Sequence, residues 1–269
     1  MISFVGAGPG AADLITLRGA RRLADARVVV WASSLVPVAL LGHCQPGIEL
    51  HDSAVMTLED VVEVYASHDE AVPIVRLHSG DPTIYGAIGE QLDWCLTRSR
   101  SFEVVPGVSS LTAAAAALRT ELTLPGVSQS VVITRLAGRT SASMGGDDGV
   151  GAFAAHGATM AVFLSAARPD ELGTSLLAPG SGYAADTPAA IVVRASHPDE
   201  VLVRTTVGRL ADDLRRCGST MTVLVLVGEA LAPGPGPRRS HLYEPGFTTA
   251  YRLRSGPGST RGRPSARER

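Results

Sequence analysis

Along the first 120 residues, short apolar runs alternate with longer stretches whose apolar positions recur at helical spacing. Runs rich in β-branched residues at Ile2 to Val5, Arg27 to Trp31, Ile74 to Leu77 and Phe102 to Val105 predict strands. Between them, Leu14 to Leu23 shows the helical period and Thr57-Leu-Glu-Asp opens a helix with a capping residue. A further helix is expected from Ala87, and Ser109 to Leu118 is an Ala-rich one. This alternation is the βαβ signature of a largely parallel sheet with helices on both faces. Leu124-Pro125-Gly126 then punctuates the chain, and strand candidates follow more closely: Ser130 to Thr134, Met160 to Leu164, Ala189 to Val193, Val201 to Arg204 and Met221 to Val227. Helices are expected over Pro169 to Leu177 and Val207 to Arg215. The pattern predicts two α/β domains, residues 1–120 with a parallel-type sheet and residues 121–232 with a mixed one.

Two stretches lack a core pattern. Gly138 to Gly151, rich in Gly, Ser and Asp, reads as a surface loop, and residues 233–269 turn to Pro, Gly, Ser and Arg and are expected to form a disordered basic tail. The 45% hydrophobic content supports a sizeable core, whereas 4% aromatics suits helix-covered sheets better than a base-stacking platform. A net charge of -2 gives no global field for nucleic acid or anionic lipid, so an anionic ligand needs local arginines. Cys44, Cys95 and Cys217 are far apart and follow no metal-ligand spacing, suggesting neither a disulfide framework nor a metal site. The start of the chain lacks the regions of a signal peptide, and runs such as Val223 to Val227 are too short to span a bilayer, so a cytoplasmic location is expected.

Three strand-end turns carry the candidate chemistry. Gly6-Ala7-Gly8-Pro9-Gly10-Ala11 formally satisfies the dinucleotide fingerprint G-x-G-x-x-A. Against that reading, Pro9 removes an N–H that a pyrophosphate would want, and the second strand ends without an acidic residue for a ribose. A tight turn needing Gly is an equal explanation. Ser79-Gly80-Asp81-Pro82-Thr83-Ile84-Tyr85-Gly86 places Asp81 where it either caps the turn or faces a ligand. Val105-Pro106-Gly107-Val108-Ser109-Ser110 puts hydroxyls at a helix N-cap. His78 has no carboxylate spaced to orient it as a base and receives no role.

Together with Glu121-Leu-Thr-Leu-Pro-Gly-Val-Ser-Gln-Ser and Ile133-Thr-Arg-Leu-Ala-Gly-Arg-Thr, these turns make the chain resemble the tetrapyrrole methylase family from Ile2 to about Leu231. The three turns are shared across that family. The Asp52-Ser53-Ala54 and Met56-Thr57-Leu58-Glu59 segments, Glu90-Gln91 and the two longer stretches resemble its precorrin-4 branch. The resemblance implies a two-domain methylase fold with S-adenosylmethionine as methyl donor, an anionic tetrapyrrole (precorrin-4) methylated at C11 as substrate, and a homodimer in cobalamin biosynthesis. It assigns the donor site to Pro9, Ser79, Gly80, Asp81, Ile84, Tyr85, Ser109 and Ser110, with Leu164, Ala195 and Thr222 from the second domain. A polycarboxylate acceptor needs guanidinium partners, for which Arg135 and Arg139 come first and Arg18 and Arg76 second. The chain departs from the family at Ser79 (in place of Thr), at Thr205-Thr206-Val207 (in place of Gly-Thr-Leu), and at Ser141 to Gly149, which lacks the usual Pro and Glu.

Transfer from a sulfonium is an in-line displacement whose donor already carries the activation, so the protein has to align and desolvate rather than supply a nucleophile. No Ser-His-Asp or Cys-His constellation is evident, in keeping with that chemistry. Other readings are a related precorrin or cobalt-precorrin methylation, an NAD(P)-dependent oxidoreductase using the first turn, and a corrinoid-binding protein without turnover.

Overall fold

The computed structural model describes residues 1–136, 148–232 and 239–265. Its first sheet joins β1 (Ile2–Gly6), β2 (Val28–Trp31), β3 (Glu49–Asp52), β4 (Ile74–His78) and β5 (Phe102–Val105) in the order β3-β2-β4-β1-β5, all parallel. The chain leaves β1 toward one edge and crosses from β4 over β1 to the other, so β1 and β4 flank the topological switch point.

The period-2 alternation of each strand separates two cores. Val5, Val29, Val75 and Leu77 face α1 (Leu17–Asp25) through Leu23, while Ile2, Phe4, Val28, Val30 and Ile74 face α2 (Leu58–Ala66) and α3 (Gly89–Thr97) through Val61, Val64, Tyr65 and Cys95. The helix signals are met locally. Thr57 and Asp60 form a reciprocal capping box on α2, and Thr16 caps α1 by accepting from Gly19 N, which starts that helix at Leu17 rather than at Leu14. β3 escapes the sequence pattern because it is a polar edge strand, half exposed and paired with β2 alone.

The second sheet joins β6 (Val131–Arg135), β7 (Thr159–Phe163), β8 (Pro188–Val193), β9 (Val201–Thr206) and β10 (Val223–Val227) in the order β6-β7-β10-β8-β9. Only β6 and β7 run parallel, so the sheet is mixed as expected. One face packs on α5 (Val150–Ala154), α6 (Pro169–Leu176) and α7 (Leu210–Cys217). α5 falls at the end of the stretch read as a loop, where Val150 and Ala154 are buried within five residues, too few to show a period.

The other face is covered from the first half of the chain. α4 (Ser110–Ala117) follows β5 but packs Leu111, Ala113 and Ala114 against Ala161, Ala190, Val192, Leu224 and Leu226 of the second sheet. Small side chains on both partners let helix and sheet approach closely, which accounts for the Ala run. Arg204 Nη2 donates to Leu118 O at 2.5 Å and Thr159 Oγ1 to Leu122 O at 2.8 Å, holding the end of α4 and the chain after it to this sheet.

Of the tail over which composition predicts disorder, residues 239–265 are described. They hold a single turn at His241–Tyr243 and a two-residue ribbon, with Arg252 Nη2 donating to the Leu242 and Glu244 carbonyls. Among the described residues no helix is long and apolar enough to cross a membrane.

Candidate functional site

The turns after β1, β4 and β5 meet at one edge of the first sheet, where their main chains touch. Ala7 N donates to His78 O at 2.7 Å, Gly80 N to Gly8 O at 2.7 Å and Gly8 N to Gly80 O at 3.2 Å. A Cβ on Gly6 would stand 2.5 Å from Gly107 Cα, and one on Gly107 would strike the Gly80 carbonyl. These glycines are therefore required by backbone contact among the three turns. The helix also begins only at Leu17, six residues beyond Ala11, so the first turn does not present the helix N-terminal amides of a dinucleotide site.

Asp81 joins two of the turns. Its carboxylate accepts from Gly107 N at 2.9 Å, from Thr83 N at 2.8 Å and from Thr83 Oγ1 at 2.5 Å. Burial pushes the carboxyl up, but the hydrogen bonds from Thr83 and Gly107 outweigh it and hold the group below the ordinary carboxylate range. The cap reading of Asp81 is thus realised, and the same side chain also lines a cavity.

That cavity, about 300 Å³, lies between the two sheets. From the first half it is lined by Pro9, Ser79, Gly80, Asp81, Ile84, Tyr85, Ser109 and Ser110, and from the second by Leu164, Ala195 and Thr222. All eleven residues assigned to a donor site by resemblance are therefore brought to one place. Ser109 N-caps α4, with its Oγ accepting from Leu111 N at 3.3 Å. The Tyr85 ring lies against Phe163 across the cavity, centroids 5.2 Å apart. Burial raises the Tyr85 phenol above its usual value while Arg135 pulls the other way.

Leu35, Phe163, Ser165, Ala166, Val192 and Arg194, with Thr220, Met221, Val223 and Leu224 at and just before the start of β10, complete the lining and were not assigned to it from the sequence. β10 runs antiparallel to β7 and β8, so its beginning meets their ends. A strand beginning has no Gly-turn signature; the signal available was an apolar Met221 at the head of the run read as a strand, and the structure leaves that residue 69% exposed.

The four arginines separate. Arg135 ends β6 in register with Phe163 and acts electrostatically on Tyr85, which puts it beside the cavity. Arg18 is exposed on α1 and does not line the cavity. Arg76 turns its guanidinium along the sheet, donating to Ser53 Oγ at 2.8 Å and Val30 O at 3.3 Å, and likewise does not line it. Arg139 lies outside the described residues. His78, which received no role, is 6% exposed, and burial together with the Arg76 charge pushes its pKa down to about 3.

A cavity of this size suits a small molecule, with several apolar walls and a few fixed polar groups. Its lining holds hydroxyls, one ionised carboxylate and one arginine, with no nucleophile–base pair among the described residues. Residues 1–211 match the model of the tetrapyrrole (corrin/porphyrin) methylases. The chain is 43% identical over 243 residues to a precorrin-4 C(11)-methyltransferase of Rhodococcus erythropolis, covering 90% of this chain and 96% of the relative. Among solved structures, a cobalt precorrin-4 methyltransferase matches with a TM-score of 0.82 at 39% identity, covering 86% of this chain and 96% of the other. A uroporphyrin-III C-methyl transferase of Thermus thermophilus complexed with S-adenyl homocysteine matches with a TM-score of 0.70 at 26% identity, covering 88% and 97%.

Proposed function

Because the chain belongs to the tetrapyrrole (corrin/porphyrin) methylase family, we propose that it transfers a methyl group from S-adenosylmethionine to C11 of precorrin-4, or of its cobalt form, in cobalamin biosynthesis. The observation that carries this reading is the convergence of Pro9, Asp81, Tyr85, Ser109, Leu164, Ala195 and Thr222 on a single cavity between the sheets. The donor supplies an activated methyl group, so the protein contributes alignment, exclusion of water and charge.

The cavity fits such a donor. Ile84, Tyr85, Phe163, Leu164 and Met221 offer apolar surface for a nucleoside and a thioether chain, and the Ser79, Ser109 and Ser110 hydroxyls offer polar contacts. Asp81 stays ionised at neutral pH and gives the cavity a fixed negative charge that favours a cationic donor. Two mostly apolar walls keep water from the reacting centre, where the charge on sulfur disperses during transfer.

The acceptor carries several carboxylates, and this chain has no lysine: all 24 of its basic side chains are arginines. Arg135, beside Tyr85 at the cavity's edge, is the guanidinium we assign to one acceptor carboxylate, and Arg139 is a second. We also place the enzyme in the cytoplasm as a homodimer, which light scattering of the purified protein tests.

The function is tested by incubating the protein with S-adenosylmethionine and either metal-free or cobalt-containing precorrin-4, and following product by mass spectrometry. Gain of one methyl group, located at C11 by NMR, is the expected result. No transfer to either form, with uroporphyrinogen III methylated instead, would move the enzyme to another branch of the family.

A further inference from the structure

The turn after β1 is gripped from the other half of the molecule. Ser196 and His197 follow β8, and Ser196 Oγ accepts from Ala11 N at 3.0 Å. The His197 ring covers Gly10 so closely that a Cβ there would stand 2.6 Å from Nε2. Gly10 does not occupy the left-handed region, so the ring, and not the backbone, excludes a side chain at this position.

The ring is itself held in place. Arg194 Nη2 lies 3.1 Å from His197 Nδ1, and Arg194 Nε donates to Asp199 at 2.7 Å. Since a guanidinium only donates, Nδ1 must be the acceptor, which leaves the ring proton on Nε2, the nitrogen next to Gly10. The Pro9 carbonyl faces that ring as a hydrogen-bond acceptor. Burial first, and the Arg194 charge second, hold the imidazole below its ordinary pKa, which preserves this neutral tautomer at neutral pH.

The segment carries backbone strain that core packing does not explain. Arg194 and Ser196 flank Ala195 with φ of 51° and 64°, and both are partly exposed. Left-handed non-glycine residues persist where surrounding contacts over-determine them. Here those contacts are Ser196 N to Glu200 Oε2 at 2.6 Å, the Arg194–Asp199 pair and the bonds to the β1 turn.

Pro9 and Ala195 each line the cavity, one from either half. We propose that Ser196 and His197 are positioning residues that clasp the β1 turn to the second sheet, fix the separation of the Pro9 and Ala195 walls, and so set how tightly the cavity holds the methyl donor. Neither residue lines the cavity itself. The proposal rests on the reading of that cavity as the donor site. It also assigns Gly10, which falls on a variable position of the formal fingerprint between Gly8 and Ala11, to docking between the two halves.

The test is a mutant cycle on the full chain, read by calorimetric titration with S-adenosylhomocysteine. His197→Ala should weaken binding about tenfold, and Gly10→Ala should weaken it at least as much because its Cβ displaces the ring. The double variant should bind no worse than His197→Ala alone, since removing the ring frees the space. His197→Gln, which keeps an N–H donor, should recover part of the affinity. In steady state the KM for the methyl donor should rise in His197→Ala, while kcat at saturating donor and the KM for tetrapyrrole stay unchanged. Additive losses in the double variant, or unchanged affinity in His197→Ala, overturn the clasp. A wild-type protein that does not bind S-adenosylhomocysteine overturns the donor reading and the proposal with it.

Discussion

The two halves that meet at the cavity build their walls by opposite means. The first half positions its lining side chains through main-chain contacts: Gly6, Gly80 and Gly107 let the three turns that carry Pro9, Asp81 and Ser109 touch, and Gly8 and Gly80 take φ of 82° and 65° at no steric cost. The second half contributes side chains from residues in the same torsional region, with Leu164, Arg194 and Thr222 at φ of 52°, 51° and 54°. For residues with a Cβ that conformation costs on the order of 1–2 kcal/mol each. Among lining residues of the first half, only Tyr85, at φ 55°, follows the second manner. The difference teaches where each half places its specificity. Parallel strands deliver all their carboxyl ends to one edge, so glycine turns suffice to assemble a floor. A mixed sheet delivers two strand ends and one strand beginning, and strained single residues turn their side chains into the gap.

The comparison breaks most visibly where backbones touch. Gly6→Ala should destabilise the protein by about 3 kcal/mol in denaturant unfolding, because neither Gly107 Cα nor the Gly80 carbonyl can move aside. A loss under about 0.5 kcal/mol would show that the three turns are not packed as described.

Acid should separate the halves next. His78, beneath the β4 turn, stays neutral when folded down to about pH 3, whereas the unfolded group takes its proton near pH 6.5. Its folded pKa is depressed, so the folded state binds fewer protons and stability falls as pH drops below 6.5. Between pH 6.5 and 5 the loss should be about 2 kcal/mol. His78→Leu should flatten that dependence, and hydrogen exchange should show β4 and β1 loosening before β7 and β10. Equal loosening of both sheets would contradict the assignment to His78.

Asp81→Ala removes the carboxylate shared by the β4 and β5 turns and should weaken S-adenosylhomocysteine about tenfold by calorimetry, with the fold retained by circular dichroism. Unchanged affinity would reduce Asp81 to a turn cap. The smallest effect on stability is expected in the second half. Leu164→Gly relieves a left-handed conformation at a residue 66% exposed, so stability should stay within about 1 kcal/mol of wild type, while donor affinity drops severalfold. A variant that lost both equally would mean that Leu164 supports the fold more than the site.

The same contrast explains what could be read from the chain. The first sheet's four apolar strands and its three glycine turns stood out because each turn sits at a strand end and needs glycine for contact with the others. β3 did not, being a polar edge strand of four residues. The second sheet's strands were legible as apolar runs, but Phe163, Arg194 and Met221 gave no motif, since each reaches the cavity from a strand end or strand beginning, Arg194 also through a left-handed torsion. Residue resemblance placed Leu164, Ala195 and Thr222 where periodicity could not. Nor did sequence order suggest that α4, which follows the first sheet, covers the second, although its Ala run is the side of a tight helix–sheet contact. Arg76 and Arg18 are second-choice substrate contacts by residue type alone; neither lines the cavity, and Arg76 is held by Ser53 and Val30.

The most direct test of the central claim, that the space between the sheets is a methyl-donor site, is a parallel calorimetric titration of the purified protein with S-adenosylhomocysteine and with NADH. Saturable binding of S-adenosylhomocysteine, one per chain, and none of NADH is the predicted result. Binding of NADH alone would contradict the account and return the turn from Gly6 to Ala11 to its dinucleotide reading.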